Sequence, residues 1–156
     1  MLEPKPKAWI SWSTGKDSAW ALHVARQRDE IEIVALLSTL NAKFARVAMH
    51  GVREELLDAQ AAALGLPVIE IPLPWPCPNE SYERAMAQAM TRARDEGIRC
   101  VVFGDLFLED VRKYREQKLA PIGIQPLFPL WGLNTTKLAR DMVSAGVRAS
   151  LTCVDP

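Results

Sequence analysis

Short apolar runs alternate with amphipathic segments along the chain. Runs rich in apolar or β-branched residues predict strands, whereas apolar positions at three- and four-residue spacing predict helices. The predicted strands cover residues 8–12, 31–40, 68–71, 100–103, 127–130 and 147–154. The predicted helices cover residues 18–28, 50–64, 79–97, 109–119 and 135–145. Residues 72–78 carry four of the eleven prolines and are predicted to form a loop.

This alternation predicts an α/β fold, namely a Rossmann-like, doubly wound parallel sheet of about five strands with helices on both faces. Right-handed crossovers leave few topologies for such a sheet. Ligands of these sheets bind at the carboxyl ends of the strands, beside a switch in strand order. The chain has 156 residues and shows no internal repeat, so we expect residues 1–156 to form a single domain.

Composition narrows the class of protein. Hydrophobic residues make up 49% of the chain and charged residues 24%, as in globular proteins. The formal net charge is +0, so composition gives no support to a nucleic-acid partner, which usually requires a basic excess. The three cysteines include no Cys-x-x-Cys pair, which fits a reducing compartment. Because no signal-like segment and no bilayer-length apolar run is evident, we expect a cytoplasmic protein without a membrane partner.

The candidate chemistry lies in the loop 13–18, Ser-Thr-Gly-Lys-Asp-Ser, between the first strand and the first helix. A helix start presents unpaired N–H groups and the positive end of the helix dipole, so it attracts phosphate. Gly15 lets the backbone approach an anion, Lys16 adds a positive charge, and Ser13 and Ser18 add hydroxyl donors. Asp17 is suited to bracing the loop or to holding a metal. The alternative interpretation is a polar turn that only caps the helix.

The loop is neither a Walker A motif nor a Gly-x-Gly-x-x-Gly motif. A Walker A loop needs glycine where this chain has Ile10, and serine or threonine where it has Asp17. The loop instead resembles the PP-loop of the ATP pyrophosphatases, Ser-Gly-Gly-x-Asp-Ser, with Thr14 in place of the first glycine. Further matching segments follow in order: 49–53 (Met-His-Gly-Val-Arg), 104–105 with 109–110, and 126–132 (Pro-Leu-Phe-Pro-Leu-Trp-Gly). Together they resemble the diphthine–ammonia ligase branch of that superfamily, over nearly the whole chain.

The resemblance implies a set of site residues. In this family the loop holds the β- and γ-phosphates of ATP and pyrophosphate is the leaving group, so the implied ligands are ATP and Mg²⁺. The implied nucleotide-binding residues are Ser11, Ser13, Thr14, Gly15, Lys16, Asp17, Ser18, Ser38, His50 and Gly104. The implied catalytic residues are Lys16, Asp17 and Asp105, of which the two aspartates hold the metal. Lys16 and the loop N–H groups are suited to stabilising charge that grows on pyrophosphate.

Three further features each admit two interpretations. Asp105 follows the fourth strand, where it would hold magnesium or orient the attacking group, or would only cap a turn. His50 lies near the nucleotide by the resemblance, or is simply a polar residue before a helix. In the charged helix 109–119, Glu109, Arg112 and Arg115 would bind the carboxylate or phosphate of a substrate, or form a solvated face of intrahelical ion pairs.

The leading functional hypothesis is an ATP-dependent ligase. A carboxyl oxygen of an acyl substrate, either a small molecule or a protein side chain, would attack the α-phosphorus, and ammonia or an amine would then displace AMP. One alternative is a non-enzymatic adenine-nucleotide-binding or sensing domain. Another is a tRNA-modifying sulfur transferase, against which the missing Cys-x-x-Cys pair and the zero net charge both count.

Relatives in the diphthine–ammonia ligase branch usually carry a further acidic segment, resembling Gly-Glu-x-Gly-Glu-x-His-Thr, that is associated with substrate chemistry. The sequence contains no such segment. We therefore expect this chain to bind adenine nucleotide but to turn over an acyl substrate poorly. We also expect apolar surface near residues 147–154 to favour self-association, for example as a homodimer.

Overall fold

The computed structural model describes residues 4–152 and 154, which form one mixed sheet with helices on both faces. The strands are β1 (Lys7–Ser11), β2 (Glu32–Asn41), β3 (Arg46–Val47), β4 (Val68–Leu73), β5 (Cys100–Val102) and β6 (Gln125–Leu127). The helices are α1 (Lys16–Arg28), α2 (Glu54–Leu64), α3 (Asn79–Asp95), α4 (Glu109–Leu119) and α5 (Thr135–Ser144), with a 3-10 turn at Ala120–Ile122. No helix in this part of the chain is both long and apolar enough to span a membrane.

The sheet topology fixes where a ligand would bind. β1 pairs in parallel with β2 on one side and with β5 on the other, while β4 lies beyond β2 and β6 beyond β5. Only β3 among the described strands runs antiparallel, at the end of β2. The chain therefore winds outward from β1 through β2 to β4 and then returns to β5. This switch in strand order places a crevice at the carboxyl ends of β1 and β5.

Residues alternate between two hydrophobic cores because successive strand side chains point to opposite faces of a sheet. Trp9 and Val101 pack on one face with residues of α3, α4 and the 3-10 turn. Ile10 and Val102 pack on the opposite face with residues of α1 and α2. Helices thus cover both faces, and the predicted α/β Rossmann-like architecture is confirmed.

Several predicted boundaries are wrong. The strand predicted at 127–130 is β6, Gln125–Leu127, and residues 129–132 form a turn instead. The loop predicted at 72–78 begins later, because Pro72 pairs in register with Leu40. β4 pairs with β2 on one side only and is therefore an edge strand. An edge strand tolerates proline, because the missing N–H can lie on the unpaired side. The helix predicted from residue 50 starts at Glu54, because residues 48–50 form a turn after β3.

The last predicted strand, 147–154, is wrong for the residues that the structure describes there. Residues 147–152 have no strand structure, and residues 148–152 are exposed. A β-branched, apolar run becomes a strand only where a sheet edge pairs with it, and no edge does so here. Residue 153 lies outside the described residues. The homodimer expected from the apolar surface here stays a prediction.

Candidate functional site

The loop between β1 and α1 leaves the start of α1 open. Gly15 is the N-cap residue of α1, and because glycine has no side chain it makes no side-chain bond to the first turn. The first intrahelical bond runs from the Ala19 N–H to the Gly15 carbonyl, at 3.2 Å. The N–H groups of the first turn have no acceptor within a helix, and they carry partial positive charge. This end of α1 is therefore able to bind an anion such as phosphate.

The hydroxyl groups of Ser13 and Ser18 stabilise the loop. The Ser18 hydroxyl donates to the Gly15 carbonyl at 2.9 Å, and the Ser13 and Ser18 hydroxyl oxygens lie 3.4 Å apart. Thr14 adopts a positive φ of 65°, a conformation that β-branched residues rarely take and that glycine takes freely. The position where the PP-loop motif has its first glycine is thus a position where the backbone requires a left-handed conformation.

His50 packs directly onto the loop. Its Nδ1 atom lies 2.9 Å from the Ser13 carbonyl oxygen, and since a carbonyl only accepts, Nδ1 donates. The Nε2 atom of the neutral ring is then left as an acceptor. A Cβ atom added to Gly15 would lie 2.9 Å from His50 Cε1, so a larger residue here would require the imidazole ring to shift. The structure therefore brings His50 together with the loop, as the resemblance implies.

Gln60 is a residue that the sequence analysis missed. It lies in α2, accepts a hydrogen bond from Trp12 Nε1 at 2.9 Å, and donates to the Thr14 carbonyl at 3.4 Å. It therefore ties the end of β1 and the strained residue of the loop to a helix. The sequence offers no signal for it, because a glutamine in an alanine-rich helix is typical of a solvent-facing position.

Ser38 has a structural partner in the described chain. Its hydroxyl is buried and donates to the Trp12 carbonyl at 2.7 Å, while the Trp12 N–H donates to the Leu37 carbonyl at 2.8 Å. These two bonds fix the exit of β1 against β2. Ser11 lines a crevice of about 80 Å³ at the ends of β1 and β2, together with Thr39 and Met49. Contact of Ser38 with a nucleotide stays a prediction that this geometry does not favour.

Gly104 lies beside the first turn of α1, and Asp105 follows it in the chain. A Cβ atom on Gly104 would lie 2.9 Å from the Asp17 carbonyl carbon and 3.1 Å from the Ser18 nitrogen, so only glycine permits this approach. The Asp105 carboxylate accepts two bonds from Arg115, at 2.7 Å and 3.4 Å. The structure therefore pairs Asp105, a predicted catalytic and metal-binding residue, with Arg115, a predicted substrate-binding residue. The alternative that Asp105 only caps a turn is not favoured by this ion pair.

Arg115 is held on two sides. Its guanidinium group lies 4.0 Å from the centre of the Phe103 ring, in a cation–π contact. The Asp105 and Arg115 side chains are only 18% and 20% exposed. Tyr82 also lines the crevice with Arg115, and burial raises the pKa of its hydroxyl while the positive charge of Arg115 partly opposes that shift. Tyr82 is consequently a neutral donor near neutral pH.

The other charged residues of α4 are arranged differently. Arg112 bonds Glu116 at 2.8 Å and its guanidinium group lies 4.8 Å from the centre of the Trp131 ring. Glu109 and Lys113 form an exposed pair at 3.8 Å. The solvated-face interpretation therefore describes Glu109, whereas Arg115 faces the crevice. A substrate contact by Glu109 stays a prediction, and so does one by Arg112.

The predicted metal ligands are oriented by cations. Both carboxylate oxygens of Asp17 lie 3.0 Å from Lys16 Nζ, and Asp105 is paired with Arg115. In the described part of the chain, no group of three or more His, Cys, Asp or Glu side chains is arranged to hold a metal ion. Mg²⁺ commonly uses one or two carboxylates together with substrate phosphates, which is compatible with this donor set. Binding of Mg²⁺ by Asp17 and Asp105 stays a prediction.

The fold and the loop define a PP-loop domain of the adenine nucleotide α-hydrolase-like class. Residues 6–126, which are most of the chain, match the diphthamide synthase N-terminal domain family, and the chain belongs to that family. Among solved structures, the chain is similar to the U34-tRNA thiolase NcsA from Methanococcus maripaludis with its [4Fe-4S] cluster. That match has a TM-score of 0.52 and 16% identity, and it covers 98% of this chain and 62% of the thiolase. The likeness supports the fold alone. No curated protein matches the chain.

Proposed function

We propose that this chain binds ATP with its phosphates at the start of α1 and cleaves it to AMP and pyrophosphate. The observation that carries the proposal is the uncapped N-terminus of α1, which lies at the switch in strand order with His50 against it. Gly104 brings the end of β5 to the same turn. PP-loop domains are nucleotide-binding ATP pyrophosphatases, so membership of the family supports an ATP-using role.

The side chains of the site have distinct roles in this proposal. Lys16 and the N–H groups of the first turn stabilise the negative charge that grows on pyrophosphate as the bond to the α-phosphorus breaks. His50 is oriented by the Ser13 carbonyl, which accepts from Nδ1, and in the protonated ring Nε2 also carries a hydrogen that it can donate to an adjacent phosphate oxygen. Asp17 and Asp105 would hold Mg²⁺, which supplies neutralisation of the triphosphate charge.

The acceptor is proposed to be a carboxyl group. One carboxylate oxygen bonds to the α-phosphorus while pyrophosphate leaves, which gives an acyl adenylate. The nitrogen of ammonia or an amine then bonds to the acyl carbon, AMP leaves with the bonding electrons, and the nitrogen loses a proton. Arg115 is the cation best placed to orient the carboxylate, because it faces the crevice and is itself held by Asp105. The name of the matched family, diphthamide synthase, supports amide formation as the outcome.

The reaction products test this proposal. Water can replace the carboxylate as the nucleophile, so purified protein with ATP and Mg²⁺ is expected to release AMP and pyrophosphate slowly, in equal amounts. Separation of radiolabelled nucleotides distinguishes AMP from ADP, and Lys16→Ala is the matched loss-of-function variant. ADP as the main product would contradict the proposal. Tight ATP binding without any AMP would favour the alternative, a non-enzymatic nucleotide-binding domain.

A further inference from the structure

A cavity of about 440 Å³ lies between α3 and α4, separate from the phosphate-binding end of α1. Its walls include the apolar side chains of Met90, Phe103, Leu119 and Ile122. Cavities of a few hundred Å³ with mostly apolar walls and a few polar groups are typical of small-molecule sites. Nothing in the proposed ATP chemistry uses this space.

This cavity adjoins the crevice beside the loop. Tyr82, Met86 and Arg115 line both spaces, so these three side chains are a shared wall between them. A molecule that fills the cavity can therefore place one end at Arg115, on the side that faces the loop. Under the proposed function, this is the end at which an acceptor group would approach the α-phosphorus, because Ser13 of the loop lines the same crevice.

The charges around the cavity favour an anionic end group. The two carboxylates of its wall are already paired, Glu80 with Arg84 at 2.8 Å and Glu83 with Lys118 at 3.2 Å. Arg115 gives Nε and one terminal nitrogen to Asp105, and a guanidinium group has five N–H donors in total. Donors of Arg115 therefore remain for a carboxylate.

We propose that the cavity between α3 and α4 binds the apolar body of a small carboxylic acid, with the carboxylate at Arg115. Identifying this acid as the acyl substrate rests on the proposed function, but its binding to the cavity does not. The apolar walls provide most of the contact area, and the Arg115 guanidinium group provides the orientation of the carboxylate.

Methionine-methyl NMR tests the proposal, with octanoate as the probe. Met90 lies in the wall of the cavity, Met49 lies only in the crevice, and Met142 lies in α5. Octanoate is expected to shift the ¹³C-methyl signal of Met90 and to leave that of Met142 unchanged. Octanamide, which lacks the charge, is expected to bind at least tenfold more weakly because charge-assisted hydrogen bonds are the stronger ones. Equal affinity for acid and amide, or no shift at Met90, would overturn the proposal.

Matched variants of α3 exclude non-specific binding. Ala87 is exposed and lines the cavity, whereas its neighbour Gln88 is exposed and does not. Ala87→Trp is expected to weaken octanoate binding at least tenfold, and Gln88→Trp is expected to have no effect. Thr91→Trp, at a second exposed wall position, serves the same purpose if Ala87→Trp does not fold. Octanoate binding that is unchanged in the folded wall variant would refute the assignment.

ATP titration of the same labelled protein separates the two proposals. ATP is expected to shift the Met49 signal, because Met49 lines the crevice beside the loop. If ATP produces no shift while octanoate still shifts Met90, the proposed function fails and the cavity assignment stands. If ATP shifts Met49 but octanoate does not shift Met90, the cavity assignment alone is wrong.

Discussion

Removal of Arg115 should destabilise the protein, because it breaks a partly buried ion pair. The pair with Asp105 is bidentate and both side chains are about one-fifth exposed, so neither charge is fully desolvated. Breaking a buried pair costs about 3–5 kcal/mol, whereas an exposed pair contributes about 0–1 kcal/mol. We therefore expect Arg115→Met, which keeps an apolar stem, to cost about 2–3 kcal/mol. Part of this cost is the lost contact with Phe103, which is worth about 0.5–1 kcal/mol.

A double-mutant cycle isolates the pair. Arg115→Met, Asp105→Asn and the double variant are compared by urea denaturation, where each kcal/mol shifts the midpoint by very roughly 0.5 M. The expected coupling energy is about 1–2 kcal/mol. The exposed Lys137–Asp141 pair of α5, at 2.7 Å, is the matched control and should couple by less than about 0.5 kcal/mol. Additivity of the Arg115 and Asp105 effects within about 0.3–0.5 kcal/mol would refute the account of this pair.

Three further predictions concern single residues. Gly104→Ala should destabilise the chain by about 1–3 kcal/mol in urea denaturation, because the new methyl group would meet the Asp17 backbone at 2.9 Å; an unchanged midpoint would contradict this contact. Thr14→Gly should raise the melting temperature by about 2–4 °C, because it relieves the backbone strain at φ 65°. A melting temperature below that of the wild type would show that the threonine is stabilising. The variant Tyr114→Phe leaves Tyr82 as the one tyrosine of the chain, so that its ionisation can be followed by absorbance. The titration should give Tyr82 a pKa above 10.0, because burial disfavours the phenolate. Because the pKa of Tyr82 is higher in the folded than in the unfolded protein, the free energy of unfolding should fall as the pH rises above the pKa of tyrosine in the unfolded chain. A titration midpoint of Tyr82 at or below pH 10.0 would contradict its burial.

Local patterns in the sequence predict most of the fold. The alternation of Trp9 with Ile10 and of Val101 with Val102 across the two faces follows directly from short apolar runs in a doubly covered sheet. Two of the wrong predictions share one cause. Whether residues 147–152 or Pro72 belong to a strand depends on a partner edge, and an edge is a property of the assembled sheet. The short β3 pairing was missed for the same reason.

The candidate site could be predicted only in part. The loop 13–18 is recognisable because its residues are contiguous, and its place between a strand and a helix is confirmed. The Asp105–Arg115 pair joins a strand end to a helix ten residues later, and Gln60 reaches the loop from 46 residues away. Contacts of this kind depend on how helices pack on the sheet, which hydrophobic periodicity does not determine. The cavity between α3 and α4 is likewise a product of packing.

The central claim is that the open start of α1 binds the phosphates of ATP, and calorimetric titration tests it most directly. Three proteins are compared at one salt and Mg²⁺ concentration: the wild type, Lys16→Ala/Asp17→Ala, and Lys137→Ala/Asp141→Ala. The control removes an ion pair within another helix, α5, and leaves the loop residues unchanged. We predict that the loop variant binds ATP at least about tenfold more weakly, since one lost charge-assisted contact is worth about 1.5–3 kcal/mol, while the control binds as the wild type does. Equal ATP affinity in the loop variant and the wild type would contradict the account.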